Sequence, residues 1–275
     1  MITIELMGGL GNQLFQVFAL ISYAKNNKSS YYIQDKEITF GGRKIYYWDN
    51  LLSNMNNYII TPTNYSTTRT IREKRFEFDA LPKKQKNHQY VTLLGYFQSY
   101  KYFDKHFNGI VRFLNFNEKR ELYRHKYDYT HTISMHFRVG DYKNLQNHHP
   151  LLSTEYYIQS LQHIINVTGK HDWQVLYFCE DEDVDYVNRK IEKLRIVIPE
   201  VSFVKIESSY IDWEQMLIMS LCKHNIIANS TFSWWAAYLS SLENIVCYPK
   251  TWFGPGQGKK NMSDMFPERW VEIDC

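Results

Sequence analysis

The chain has 275 residues, of which 44% are hydrophobic and 22% charged, a composition that fits one large globular domain or two modest ones. Its formal net charge of +3 is too small to indicate binding to DNA or RNA, although it suits a small anionic ligand. None of the four cysteines has CxxC or CxH spacing, which argues against a zinc site and fits a reducing compartment: Cys179, Cys222, Cys247 and Cys275.

The first predicted element is a strand at Ile2–Met7. No basic segment followed by a long apolar stretch comes before it, so we predict no signal peptide. No segment of the chain has the roughly 20 consecutive apolar residues of a membrane span, so we predict no transmembrane segment. We expect a cytoplasmic protein, with or without peripheral attachment to a membrane, and a homo-oligomer stays open.

A glycine-rich turn at residues 8–11 joins the first strand to a helix predicted at 12–24 from its apolar spacing. The turn is not a complete GxGxxG fingerprint, because Leu14 takes the place of the third glycine. It could bring the backbone close to a ligand, or it could simply be a tight turn. Asn12 and Gln16 lie one helical turn apart, so both could face a polyol.

The middle of the chain is harder to interpret. Residues 27–88 are rich in Asn, Lys and Tyr and show weak periodicity, so we predict short elements and irregular structure there. Residues 90–96 have the pattern of a buried strand, and residues 99–107 that of a helix or turn.

From about residue 130 the pattern becomes regular, and strands alternate with helices. This alternation is typical of an α/β domain with a parallel sheet, and we place a domain boundary between residues 128 and 129. The predicted strands are 131–137, 173–179, 202–206, 225–228 and 244–248, and the predicted helices are 154–166, 184–195, 213–224 and 232–241.

Three of these strands end on residues that could bind a nucleoside diphosphate. Ligands of open parallel sheets lie beyond the carboxyl ends of the strands. Arg138 follows the first strand and offers paired donors to phosphate. Residues 180–183, Glu-Asp-Glu-Asp, follow the second, where a carboxylate could accept from guanine. Residues 229–231, Asn-Ser-Thr, begin a helix whose free N–H groups suit an anion.

Each feature also has a purely structural interpretation. Arg138 could form a structural ion pair with Asp141, and residues 229–231 could be an ordinary capped corner. Residues 180–183 could be a solvated helix start, where acidic groups suit the helix dipole. Asp181-Glu182-Asp183 also has the form of a DxD metal site, which a single short match supports only weakly.

Taken together, several motifs resemble the α-1,2-fucosyltransferases of glycosyltransferase family 11. They occur in the family's order and span nearly the whole chain, and the set is far more specific than any one of them. The motifs are GGLGNQLFQ (8–16), GYFQS (95–99) followed by YF (102–103), HFRVGDY (136–142), NSTFSWWAAYL (229–239), YPKTWFG (248–254) and PERW (267–270).

The resemblance implies a GT-B fold, with two facing Rossmann-like domains and a cleft between them. Residues 1–128 would mainly serve the acceptor and residues 129–275 would bind the GDP-sugar. The implied reaction is metal-independent and inverting, with no cofactor. It moves L-fucose from GDP-β-L-fucose to O2 of a terminal galactose on a glycan or glycolipid.

The resemblance also assigns roles to residues of this chain. Arg138 would contact the diphosphate, and His136 and Asp181 would bind guanine. At the helix start, Thr231 and Ser233 would hold phosphate. The implied donor-binding set is Gly9, Gly11, Asn12, Gln13, His136, Arg138, Asp181, Ser230, Thr231, Phe232 and Ser233.

One position departs from the family pattern HxRRxD, because Val139 replaces the second arginine. Lys143 could supply a replacement charge. With Arg138 as the catalytic arginine, Asp141 is the first candidate for the base that activates the acceptor hydroxyl, and Glu5 is the second.

Other functions remain open at this point. The chain could transfer another GDP-activated deoxysugar or mannose. It could bind GDP-sugars or glycans without catalysis, with Val139 marking the lost activity. A nicotinamide oxidoreductase would fit the βα alternation alone, and the incomplete glycine fingerprint counts against it.

Overall fold

A computed structural model describes residues 1–35, 39–40, 43–44, 47–61 and 69–274. Cys275 and part of the predicted irregular region 27–88 lie outside the described residues. The chain forms two compact units: unit 1 is Met1–Lys119 with Lys260–Pro267, and unit 2 is Arg120–Lys259 with Glu268–Cys275. The chain therefore leaves unit 1 after Lys119, whereas the sequence analysis places the boundary between residues 128 and 129. In the described part of the chain, no helix is both long and apolar enough to cross a membrane.

Unit 1 is an α/β unit whose strands are short. They are β1 Ile2–Ile4, α1 Leu10–Asn26, β2 Ile33–Gln34, β3 Thr39–Phe40, β4 Arg43–Lys44, β5 Ile59–Ile60, β6 Arg69–Arg72, β7 Val91–Leu94, α2 Phe107–Phe113 and α3 Phe116–Glu121, which continues past the boundary. The order of the main sheet is β1-β7-β6, with all strands parallel.

Helix α1 forms the core of unit 1, because nearly all of its side chains are buried. Phe18 packs edge-on against Phe103, with ring centroids 5.4 Å apart. The helix begins at Leu10, two residues earlier than predicted and inside the glycine-rich segment 8–11. Gly8 has a φ of +75°, a conformation that favours glycine.

Unit 2 confirms the predicted alternation of strands and helices. Its elements are β8 Thr132–His136, α4 Thr154–Thr168, β9 Gln174–Phe178, α5 Val184–Val197, β10 Ser202–Lys205, α6 Asp212–Leu221, β11 His224–Ile226, α7 Thr231–Tyr238, β12 Val246–Pro249 and β13 Val271–Ile273. The helix predicted at 213–224 ends at Leu221, because His224 already pairs with β8 as the first residue of β11. Strand β13 was not predicted.

The six strands of unit 2 lie in the order β10-β9-β8-β11-β12-β13, and all neighbouring pairs are parallel. Counted in chain order within the unit, this is the 3-2-1-4-5-6 order of a dinucleotide-binding sheet. The chain changes direction across the sheet between β8 and β11. Ligands of such sheets lie beyond the carboxyl ends of the strands at this switch point.

Candidate functional site

The segments that follow β8 and β11 meet at the switch point of unit 2. The Tyr142 hydroxyl, from the loop after β8, donates a hydrogen bond of 3.1 Å to the Asn229 carbonyl after β11. The rings of His136, the last residue of β8, and Phe232, in the first turn of α7, lie 5.3 Å apart. The structure therefore brings together two of the predicted site segments, 136–142 and 229–233.

Arg138 brings a positive charge to this site, and three neighbouring side chains contact its guanidinium. Nη1 donates to Glu180 Oε1 at 2.7 Å, and Nη2 pairs with Asp141. The guanidinium carbon also lies 5.0 Å from the centre of the Tyr142 ring, which is a cation–π contact. Burial opposes the charge, but Asp141, Tyr142 and Glu180 outweigh it, so the pKa of Arg138 is raised.

The ion pair between Arg138 and Asp141, one of the two interpretations considered from the sequence, is thus present. It does not exclude a phosphate contact, because a guanidinium has five N–H donors and these carboxylates do not use all of them. Glu180 is the partner that the sequence analysis did not assign to Arg138. The sequence does contain a signal for this pair. Arg138 follows β8 and Glu180 follows β9, and these neighbouring parallel strands end at the same edge of the sheet.

Asp183 fixes the loop that carries Arg138. It is buried, and its two carboxylate oxygens accept from the Gly140 amide and from Lys143 Nζ, both at 2.6 Å. Lys143 is therefore engaged with Asp183, so the suggested replacement of the missing second arginine by Lys143 has no support in its contacts. Val139 points into the hydrophobic core of unit 2 and is buried.

Gly140 is a point of close approach in this loop. Its φ is +22°, and a Cβ atom there would lie 2.9 Å from Glu180 Oε2 and 3.4 Å from Arg138 Nη1. Because the contact at 2.9 Å is closer than real Cβ atoms come, a side chain at position 140 would push Glu180 away from Arg138.

His136 lies buried beside Arg138 and is uncharged at neutral pH. Burial, together with the charge of Arg138, lowers the pKa of His136 to about 3. Its Nδ1 atom is buried and has no hydrogen-bond partner among the described residues. A neutral imidazole can both donate and accept a hydrogen bond, which are the two functions needed to recognise the edge of a nucleobase.

The start of α7 has the predicted cap. Ser230 is the N-cap residue, and its hydroxyl accepts from the Phe232 amide at 3.3 Å. Thr231 and Phe232 are half-buried. Ser233 is fully buried, and its hydroxyl lies within hydrogen-bond distance of the carbonyls of Ala228 (3.4 Å) and Ser230 (3.3 Å). Its side chain therefore serves the helix start in this structure.

Asp181 lies at the ends of β9 and β10, next to the switch point. It accepts hydrogen bonds from Lys205 Nζ at 2.7 Å and from the Ser208 hydroxyl at 2.6 Å, and these bonds lower its pKa. The acidic residues of the run 180–183 therefore have separate partners: Glu180 binds Arg138, Asp181 binds Lys205, and Asp183 binds Lys143. Within the described ranges, no group of three His, Cys, Asp or Glu residues could hold a metal ion.

The predicted donor-binding residues of the glycine turn belong to unit 1. Gly9 is the N-cap residue of α1, and Gly11 is buried in its first turn. Asn12 Oδ1 accepts from Gln98 Nε2 at 2.8 Å, and Gln13 Nε2 donates to the Gly8 carbonyl at 3.0 Å. Gln16 is fully buried, so the expectation that it faces a polyol is wrong.

The sequence is similar to glycosyltransferases along nearly its whole length. A family model described as glycosyl transferase family 11 matches residues 1–274. An alpha-1,2-colitosyltransferase of Escherichia coli is 27% identical and covers 98% of both chains. The O-antigen biosynthesis glycosyltransferase WbnK of Escherichia coli is 31% identical over 73% of this chain and 66% of its own length.

Solved structures with low sequence identity have a similar fold. A glycosyl transferase family 9 protein from Veillonella parvula DSM 2008 has a TM-score of 0.53 at 9% identity and covers 99% of this chain and 86% of its own. POFUT1 in complex with GDP has a TM-score of 0.50 at 11% identity, covering 90% of this chain and 97% of its own. These similarities support the α/β glycosyltransferase fold.

Proposed function

This chain belongs to glycosyl transferase family 11, and from that premise we propose that it is an inverting, metal-independent α-1,2-fucosyltransferase. The donor is GDP-β-L-fucose, and the acceptor is O2 of a terminal galactose on a glycan or glycolipid. No cofactor takes part. Family membership alone makes the chain a glycosyltransferase; the sugar, the linkage and the acceptor are the proposal.

The observation that carries the proposal is the position of Arg138 at the switch point, in a loop that Tyr142 joins to the segment before α7. When the sugar leaves GDP, negative charge develops on the diphosphate. Fixed donors that face this charge lower the barrier without a metal ion. Arg138 supplies such donors, the start of α7 adds the positive end of the helix dipole, and Glu180 and Tyr142 keep the guanidinium in place.

The remaining assignments follow the same scheme. His136 and Asp181 bind guanine, and Thr231 holds phosphate. Asp181 keeps acceptor capacity beside its two present bonds, because a carboxylate has about four lone-pair sites. The backbone of Gly9 and Gly11, with Asn12 and Gln13, stays the predicted contribution of unit 1 to donor binding.

In the proposed reaction, the acceptor hydroxyl attacks the anomeric carbon as the bond to GDP breaks. Its proton passes to a base, for which Asp141 is the candidate in unit 2. Asp141 is paired with Arg138, so the guanidinium both orients this carboxylate and neutralises the leaving group. An oxocarbenium-like transition state needs less help from the base.

A second candidate is transfer of another GDP-activated deoxysugar. The observation that favours it is the relative named as an alpha-1,2-colitosyltransferase, whose similarity covers 98% of both chains. The Arg138 site would act identically, because it addresses the diphosphate. Competition between GDP-fucose and other GDP-deoxysugars, with identification of the product, separates the two candidates.

The test is transfer from GDP-fucose to a panel of terminal galactosides, with EDTA present because no metal is expected to take part. Arg138→Ala should lower turnover at least about a hundredfold, the usual effect of losing one charge-stabilising donor. Arg189→Ala is the matched control, since the Arg189 side chain donates to the carbonyl of Asp185 in its own helix. Near-normal turnover in Arg138→Ala, or loss of all activity in EDTA, would contradict the proposal.

A further inference from the structure

The carboxyl edge of the sheet in unit 1 holds a second polar cluster, in which the ends of β1 and β7 are tied together. Gln16 accepts from the Met7 amide at 2.9 Å and donates to the Gly95 carbonyl at 3.1 Å. Gln98 adds a further link through its bond to Asn12. The side-chain amides of Gln16 and Gln98 therefore join the two motif segments 8–16 and 95–99 into one cluster.

Glu73 completes this edge at the end of β6. Its Oε2 atom accepts from the Tyr96 amide at 2.8 Å, which fixes the carboxylate. Its Oε1 atom is buried and has no hydrogen-bond partner among the described residues. A buried carboxylate oxygen without a donor is costly, so native proteins usually keep one for a reason.

The absence of a side chain at Gly95 makes room for the Glu73 carboxylate. A Cβ atom at Gly95 would lie 2.4 Å from Glu73 Cβ and 2.8 Å from Oε2, so the glycine is what admits this side chain. Burial raises the pKa of Glu73, although the amides of Phe97 and Tyr96 and the charge of Lys260 oppose the shift.

The surroundings of Glu73 Oε1 indicate which kind of group would bind this atom. A single carboxylate oxygen calls for one O–H or N–H donor, and the cluster around it is made of amides and glycine backbone. Next to it, Tyr96 exposes 42% of its surface and offers an aromatic group with a polar tip. Hydroxyl donors beside an apolar face are what a hexopyranose presents.

We propose that Glu73 binds a hydroxyl group of the acceptor sugar through Oε1, with Tyr96 covering the adjacent face of that sugar. This inference rests on the proposed function, since it takes the acceptor to be a carbohydrate. Because Oε1 is shielded from solvent, the Glu73 side chain or its neighbours must shift as the sugar binds. Such bonds commonly tighten only in the complex.

The test is Glu73→Gln, which keeps an oxygen for the Tyr96 amide and places an NH2 group where the lone pair was. With the best galactoside from the transfer panel, the acceptor KM should rise about tenfold to a hundredfold, the effect expected for a bond to a charged group. The Kd for GDP should not change. Glu77→Gln, a neighbouring carboxylate whose ion-pair contact with Arg75 is 3.8 Å long, should leave both values unchanged.

The outcomes separate the two proposals. An unchanged acceptor KM in Glu73→Gln overturns the role of Glu73 while leaving the transferase assignment intact. If the unmodified protein transfers no fucose to any galactoside of the panel, the proposed fucosyltransferase activity fails, and binding of the sugar is measured directly. Methyl β-D-galactoside added to the GDP complex should then shift the amide resonance of Tyr96. No shift at saturating sugar overturns the site, and the same titration serves if Glu73→Gln does not fold.

Discussion

At the scale of single residues, we expect donor binding to depend on the side chains that fix the orientation of the Arg138 guanidinium. Glu180, Asp141 and Tyr142 each contact its guanidinium, and Asp183 holds the loop beneath it. A guanidinium that is already oriented loses less entropy when it binds a diphosphate. We expect neighbours of Arg138 to affect donor binding even where they do not touch the donor.

Gly140→Ala tests this expectation. An alanine there meets two penalties, a left-handed backbone and contact with Glu180 Oε2, so Glu180 should be displaced from Arg138. We expect a loss of about 1 kcal/mol in unfolding free energy and a Kd for GDP at least several-fold higher. Both quantities can be measured by urea unfolding and calorimetric titration.

Gly169→Ala is the control for this prediction. Gly169 has a φ of +65°, and a Cβ atom there would meet nothing within 4 Å. The substitution should therefore cost a similar amount of stability and leave GDP binding unchanged. Equal weakening of GDP binding in both variants would show that Glu180 has no special role.

At the scale of helices and strands, Arg120 joins the ends of two helices of unit 2. Its Nη1 donates to the Leu239 carbonyl after α7 at 2.9 Å, and its Nη2 donates to the Ser220 carbonyl in the last turn of α6 at 3.0 Å. Helix carboxyl ends carry unpaired carbonyls and partial negative charge, which a buried cation satisfies. Helix α7 begins at the proposed donor site, so Arg120 anchors the opposite end of that helix.

Arg120→Met should lower the free energy of unfolding by about 2–3 kcal/mol, because two buried carbonyls lose a charged donor. Arg124→Met is the matched control. Arg124 is exposed and pairs with Glu121 on the surface, so its replacement should cost less than about 0.5 kcal/mol. Urea denaturation of both variants gives the comparison, and similar losses would contradict the anchoring role.

The two units differ in how far their sequences predict their elements. In unit 2 the strands β8 and β9 are largely buried, and helices separate the successive strands from β8 to β12, so their order and type could be predicted. Strand β6, with its sequence Arg-Thr-Ile-Arg, shows little apolar pattern, so neither this strand nor the proposed role of Glu73 at its end could be predicted. Strand β13 has three residues, and its pairing with β12 depends on a distant part of the chain.

The sequence predicts which segments meet at the candidate site but not how their side chains are directed. The rule that ligands lie at the carboxyl ends of parallel strands brought Arg138 and residues 229–231 to one edge, as the structure shows. The rule says nothing about side-chain direction. It therefore could not foresee that Gln16 and Ser233 would be buried, or that Lys143 would pair with Asp183.

At the scale of the whole molecule, two buried histidines make stability depend on pH. Burial lowers the pKa of His136 to about 3 and, aided by Lys223 and Lys170, that of His224 to about 4. In the unfolded chain both should titrate near 6.5. Their contribution to stability is therefore complete above pH 6.5 and is lost as the pH falls towards the folded values.

Lowering the pH from 7 to 5 should therefore reduce the unfolding free energy by about 2 kcal/mol for each of these histidines. His136→Asn should show a correspondingly smaller loss, because one of the two groups is removed. His131→Gln changes an exposed histidine and should lose as much as the unmodified protein. Identical pH dependence in His136→Asn and the unmodified protein would refute the buried neutral imidazole.

The path of the chain between the units has a consequence for truncated chains. The backbone passes from unit 2 into unit 1 at Lys260 and returns after Pro267 to add β13 beside β12. A released chain that stops before Val271 therefore leaves one edge of β12 unpaired. Edges of this kind attract other chains. We expect stop codons shortly before codon 271 to yield aggregates.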